Sequence, residues 1–175
     1  MPVRVLFQDE GRFGRISDHR RCWAPLPARP TVGRQVVREY VHAFVALCPW
    51  RGQVASLILP AADTDCMSLF LAHTAAQFPG QFCVMVLDGA GWHGAKALRV
   101  PEHMRLLFLP PYSPELNPVE HVWEHLRENY FRNQVLPSID RVEDVLMDGL
   151  RQLIAQPETV RSLALFSWLI PLCMT

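Results

Sequence analysis

Along the first half of the chain, apolar positions recur with the period of strands. VRVLFQDE (3–10) alternates and ends in two acids, and VVREYVHAFVALC (36–48) is a long β-branched and aromatic run. The turn PWRG (49–52) leads into QVASLILP (53–60), so 36–60 predicts a hairpin and the three strands predict an antiparallel meander. Beyond Asp63, which suits a helix N-cap, the period changes and a helix is expected through about Phe78. FCVMVLD (82–88) and MRLLFLP (104–110) are apolar on both parities, as strands covered on both faces require. A short helix is expected near His93 to Leu98, and longer ones over 118–131, about 139–155 and about 158–168.

That order of elements predicts an α/β fold, a mixed five-stranded sheet flanked by helices. A chain of 175 residues fits one domain with a real core, and no repeat or low-complexity linker divides it. The tail LALFSWLIPLC (163–173) is too short, and too broken by Pro171, to span a bilayer; it is expected to dock on the core.

Composition adds the setting. Half of the residues are hydrophobic and 19% are charged, which is globular rather than disordered. The cysteines at 22, 48, 66, 83 and 173 are odd in number and form no C-x-x-C pair, which argues for a reducing, cytoplasmic location without structural disulfides. Cys48 and Cys83 fall in apolar runs and are expected to be small buried hydrophobes. No signal-peptide pattern precedes the first strand, and no membrane association is expected. Formal net charge is zero, so the whole-molecule field does not announce a nucleic-acid binder. The average hides a local bias: Arg12, Arg15, Arg20, Arg21, Arg29, Arg34 and Arg38 share their stretch with a single acid, Asp18. Such a patch can neutralise phosphates; a solvated arginine-rich loop is the competing reading.

Three carboxylates are the candidate chemistry. Asp9 ends the first strand and Asp88 the fourth, and strand ends are where ligand sites of α/β sheets gather. By parity Asp9 shares a face with Val3, Val5 and Phe7, while Glu10 points the other way. Glu120 stands at N3 of a helix with Asn117 as N-cap and Pro118 at N1, a capping-box arrangement that would by itself account for it, as turn formation would for either Asp. Phased at about 100° per residue, Val119, Val122, Trp123, Leu126 and Tyr130 form one apolar stripe with Glu120 on its border. The same helix carries H-x-x-E-H (His121, Glu124, His125), the spacing of inverted zinc peptidases, but its histidines fall roughly opposite the stripe, without protein behind them to orient them. Three hard oxygen ligands from two strand ends and a helix suit Mg²⁺ or Mn²⁺, and two such ions can drive phosphodiester cleavage. No G-x-S-x-G elbow, Walker loop or G-x-G-x-x-G points to another chemistry.

FQDEGRFG (7–14), VLDGAGWHG (86–94) and LPPYSPELNPVEHVWEHLR (109–127) together resemble the three signatures of DDE transposases of the mariner-like superfamily and its bacterial insertion-sequence relatives. The resemblance implies a ribonuclease H-like fold, with Asp9, Asp88 and Glu120 as the metal-binding catalytic triad for Mg²⁺ or Mn²⁺. It implies cleavage of DNA at element ends, followed by transesterification of the freed 3′-hydroxyl into target DNA. His93 matches a histidine frequent in the family, and Tyr112, Ser113, Pro114, Asn117 and Pro118 match the turn that positions the glutamate. CWAPLPARP (22–30) resembles the family's Trp-containing segment, so Arg12, Arg15, Arg20, Arg21, Arg29 and Arg34 are DNA-contact candidates. The partners implied are the terminal inverted repeats, target DNA and a second copy of the chain in a synaptic complex. Gly89 replaces the asparagine common after the second Asp. The usual N-terminal helix-turn-helix region has no room ahead of Asp9, so a separately encoded subunit is expected to supply it, or the chain is a non-catalytic remnant.

Overall fold

β1 (Val3–Ile16) runs through the middle of a five-stranded sheet, with β2 (Val36–Cys48) and β3 (Gln53–Leu59) on one side and β4 (Phe82–Leu87) and β5 (Met104–Phe108) on the other. The computed structural model describes residues 1–173. β1, β2 and β3 form the expected antiparallel meander, and β4 and β5 lie parallel to β1. Strand parity sorts the core into two layers. Leu6, Phe44, Ala46 and Met85 face α1 (Thr64–Gln77). Phe7, Val45 and Leu47 face α2 (Val119–Leu126), α3 (Ile139–Ala155) and α4 (Pro157–Ala164). The mixed sheet flanked by helices is thus as the sequence predicts.

Five expectations about the fold need correction. MRLLFLP is not covered on both faces: β5 is an edge strand, with Leu107 and Phe108 about half exposed. The first strand does not end at its acids; it continues to Ile16 alongside β2, leaving Asp9 in mid-strand. Gly11 allows the strand to pass closely under α2, since a Cβ there would lie 2.9 Å from the Trp123 ring. No helix forms near His93 to Leu98; the segment is a chain of turns, because glycines at 89, 91 and 94 make helix nucleation costly. The helix expected over 118–131 is α-helical only to Leu126 and widens into a π-turn over Arg127–Phe131. The last helix stops at Ala164, and a 3-10 run (Ser167–Cys173) follows.

The tail docks as expected through Leu169, which is buried and whose carbonyl accepts the Trp50 Nε1–H at 3.0 Å. The side chains of Leu172 and Cys173 lie outside the described residues. Cys48 and Cys83 are buried, and Cys22 and Cys66 are also free thiols. Among the described residues no helix is long and apolar enough to cross a membrane.

What positions a site is a mismatch in strand length. The parallel ladder between β4 and β1 closes at Val86 and Phe7, while β1 goes on beside β2 alone. A notch opens there beside β1, and α2 covers it.

The Gly11–Trp123 contact gives a test of that packing. Gly11→Ala should lower stability in denaturant unfolding by about 1–3 kcal/mol through overpacking. Unchanged stability would mean that the α2 helix can withdraw from β1 freely.

Candidate active site

Extending the β1–β4 register two residues past Phe7–Val86 sets Asp9 level with Asp88, the first residue beyond β4. Asp9 lies on the α2 face of β1, where Trp123 Nε1–H donates to its Oδ2 at 2.8 Å. Glu120 stands in the first turn of α2. All three carboxylates line one cleft of about 480 Å³, together with Leu109, Tyr112 and Asn117. Tyr112 stands fully exposed at its lip in left-handed backbone, φ 58°.

Asn117 anchors α2 to the sheet. Its side-chain oxygen accepts from Val119 N at 3.2 Å, and its Nδ2 donates to the Gln8 carbonyl at 2.9 Å. The expected capping box stays open, because the Asn117 N–H is already taken by the Pro114 carbonyl, at 2.9 Å. Glu120 is thereby left out of the cap and its carboxylate belongs to the cleft.

The cleft holds its negative charge at a cost. Burial pushes the Asp9 carboxyl up to about 7; the Trp123 hydrogen bond works against this, and the charges of Glu120 and Glu10 add to it. Burial also raises Glu120, opposed by Arg127 and reinforced by Glu124 and Asp88. Each carboxylate therefore feels another across the cleft. As they stand they do not close into a cage: among the described residues no three His, Cys, Asp or Glu side chains are gathered tightly enough to hold a metal ion. The donor set nevertheless fits a hard divalent cation, which favours carboxylate oxygens and would relieve this mutual repulsion.

The opposite face of β1 carries a second polar group. His93 is buried; its Nδ1–H donates to the Asp88 carbonyl at 3.0 Å and its Nε2–H to Glu10 Oε1 at 2.8 Å. Burial alone would lower the His93 pKa, but the bond to Glu10, the Glu10 charge and the Asp88 contacts raise it above the ordinary value. With acceptors at both nitrogens, the ring donates on both sides.

The remaining candidates separate. His121 donates Nδ1–H to the Leu163 carbonyl at 2.9 Å and sits edge-on to Phe166, while His125 contacts Asn129 and Tyr130. The expectation that no protein backs these histidines is thus corrected: they are engaged in helix packing, though away from the cleft. Arg15 is half-buried, bonded to Glu39 at 2.7 Å and to the Leu136 carbonyl at 3.0 Å, so its charge is largely spent within the fold. Arg20 pairs with Asp18 at 3.0 Å. Arg12 lies over the Tyr40 ring, and Arg21, Arg29 and Arg34 are exposed on the 17–35 segment between β1 and β2. Sequence reasoning placed Trp123 only in the apolar stripe and left Glu10 without a partner. A signal was present: Gln8 and Glu10 share a strand face with Leu6, and polar groups facing a core need buried partners.

The raised Asp9 pKa makes a stability prediction. The native carboxyl keeps its proton to about pH 7, whereas the unfolded one loses it near 3.8, so the native state binds more protons between these limits. Stability from this group is full below the lower value and is lost as pH rises through the upper one, at most about 4 kcal/mol in all. Asp9→Asn keeps an acceptor for Trp123 and discards the charge. In EDTA its melting temperature should match wild type near pH 4 and exceed it by roughly 5 °C or more at pH 8. A gap that does not widen with pH would refute the buried charge.

Comparison with known proteins gives the family and the fold. The model of the DDE superfamily endonuclease family matches residues 4–143. The chain is 38% identical over 130 residues to "Uncharacterized protein y4pE/y4sA" of Sinorhizobium fredii (strain NBRC 101917 / NGR234), covering 74% of this chain and 96% of that protein. Among solved structures, the Mos1 strand transfer complex superposes with a TM-score of 0.60 at 15% identity, over 91% of this chain and 54% of the Mos1 chain. The catalytic domain of Mos1 mariner transposase gives 0.55 at 15% identity, over 91% of this chain and 81% of that one. The chain thus spans about half the length of the Mos1 chain in that complex. At such identities these structures speak for the fold, and the 3-2-1-4-5 strand order with helices on both faces is the ribonuclease H-like fold. By its match over most of its length, the chain belongs to the DDE endonuclease superfamily.

Proposed function

We propose that this chain is the catalytic domain of a DNA transposase, cleaving phosphodiester bonds at element ends and joining the freed 3′-hydroxyl to target DNA. One observation carries the reading: Asp9, Asp88 and Glu120, from three separate elements, line one cleft where β4 stops pairing with β1. In this reading the three carboxylates hold Mg²⁺ or Mn²⁺. When bound, the cations supply Lewis-acid activation of the attacking oxygen and neutralise charge on the leaving oxygen. Asp9, steadied by Trp123, and Asp88, just past β4, present oxygens from the sheet, and Glu120 closes the site from α2. Asn117 sets the height of α2 over β1 through the Gln8 carbonyl.

Arg12, Arg21, Arg29 and Arg34 are the phosphate contacts in this reading, with Arg15 and Arg20 mainly shaping the 17–35 segment. Structures of Mos1 transposase include a paired-end complex and a strand transfer complex. By analogy with that paired-end complex, two copies of this chain bring two element ends together.

Nicking of supercoiled plasmid carrying the element ends tests the proposal. It should require Mg²⁺ or Mn²⁺ and fall at least about a hundredfold in Asp9→Asn, Asp88→Asn and Glu120→Gln, since each removes a share of several kcal/mol of charge stabilisation. His121→Ala and His125→Ala should leave it within a fewfold. Nicking that survives the carboxylate substitutions sinks the assignment. Replacing Arg21, Arg29 and Arg34 by alanine should weaken DNA binding for all sequences alike and flatten its salt dependence by about one unit of slope for each arginine removed. An unaltered slope would remove these arginines from the DNA path.

A further inference from the structure

We propose that Glu10 is a positioning residue: acting through the buried His93, it fixes Asp88 in the orientation that a divalent cation requires. The inference rests on the reading of Asp88 as a metal ligand.

Asp88 is the most exposed of the three carboxylates. Its side chain is 58% exposed, and it heads a turn, Asp88 to Gly94, rich in glycine. A Cβ at Gly89, Gly91 or Gly94 would meet nothing within 4 Å, so no neighbour packs closely against the turn at these points. A metal ligand must stay within about 0.5 Å of its working position. Local bonding supplies part of that restraint, as Asp88 Oδ1 accepts from Ala90 N at 3.1 Å. That bond ties Asp88 only to its own turn, and the turn itself needs holding.

His93 supplies the hold. Its Nδ1 lies 3.0 Å from both the Asp88 carbonyl and Asp88 Oδ1, so one nitrogen senses the backbone and the side chain of the same residue. A ring held at one nitrogen can still pivot. Here the other nitrogen is bonded to Glu10, whose side chain is 7% exposed and projects from central strand β1. Glu10 is held in turn by Gln8 Nε2 at 2.9 Å, and Trp92 stands edge-on to the imidazole at 5.7 Å. A connected path thus runs from β1 through Glu10 and His93 to Asp88, on the face of the sheet opposite Asp9. The adjacent acids of β1 divide the work: Asp9 faces the cleft, and Glu10 braces the facing ligand from behind. Outer partners of this kind typically contribute 10–100-fold to metal affinity.

Calorimetric titration of the purified chain with Mn²⁺ tests this without relying on turnover. Glu10→Ala should weaken Mn²⁺ binding about tenfold or more, whereas Glu10→Gln, which retains an acceptor for His93, should stay within about threefold of wild type. Glu10→Asp withdraws the acceptor by one methylene while keeping the charge; it should lose affinity too, and it replaces Glu10→Ala as the decisive variant if the latter does not fold. Melting temperatures measured in parallel separate the effect from general destabilisation, because a merely structural role predicts loss of stability with Mn²⁺ affinity unchanged in the folded protein. Wild-type affinity in both Glu10→Ala and Glu10→Asp overturns the inference, as does equal loss in Glu10→Gln. Asp88→Ala is the control on the underlying reading. If it leaves Mn²⁺ binding intact, Asp88 is no ligand; if it weakens binding while Glu10→Ala does not, only the bracing role fails.

Discussion

The parallel pairing of β4 with β1 is the constraint on which the site depends. It aligns two strands distant in sequence, holds them for five residue pairs and then ends, because β4 stops at Leu87 while β1 continues beside β2. Where the ladder ends, the edge of β1 faces a cleft instead of another strand. Asp9 and Asp88 come level there, and α2 lies above them. A longer β4 would fill the notch, and a shorter one would leave Asp88 with no strand to carry it.

The second layer of control is the docking of α2. Trp123 is almost wholly buried, stacks edge-on to Phe13 at 5.8 Å and bonds to Asp9, so one side chain joins core packing to carboxylate orientation. Asn117 adds a polar tie between the helix start and β1. Burial beneath α2 withdraws Asp9 from water, which is why its carboxyl clings to a proton although the Trp123 bond favours the charged form. The fold thus keeps an electrostatic strain at Asp9, a familiar opposition between stability and function.

Much of this was legible before folding. Strand and helix periods located all five strands and the main helices, and parity separated Asp9 from Glu10 onto opposite faces. Of the stripe Val119, Val122, Trp123, Leu126 and Tyr130, the first four are buried as its spacing requires and Tyr130 is half-buried. Less legible was anything set by neighbours remote in the chain. Asp9 and Glu10 read as a strand terminus, although β1 runs on to Ile16 beneath Trp123, which fills the space over Gly11. Asn117, Pro118 and Glu120 read as a capping box, although Pro114 satisfies the Asn117 N–H first. Arg15 read as free charge, although Glu39 and the Leu136 carbonyl had claimed it.

By itself the sequence determined the elements, their order, the two faces of each strand and the presence of three acids in motifs with a family resemblance, because these depend on local period and spacing. Only the tertiary structure decided where the β1–β4 ladder ends, that Glu120 is released to the cleft, and that His93 joins Glu10 to Asp88. Ladder length, burial and hydrogen-bond competition are settled between segments far apart along the chain. The energies that settle them exist only once the sheet has brought those segments together.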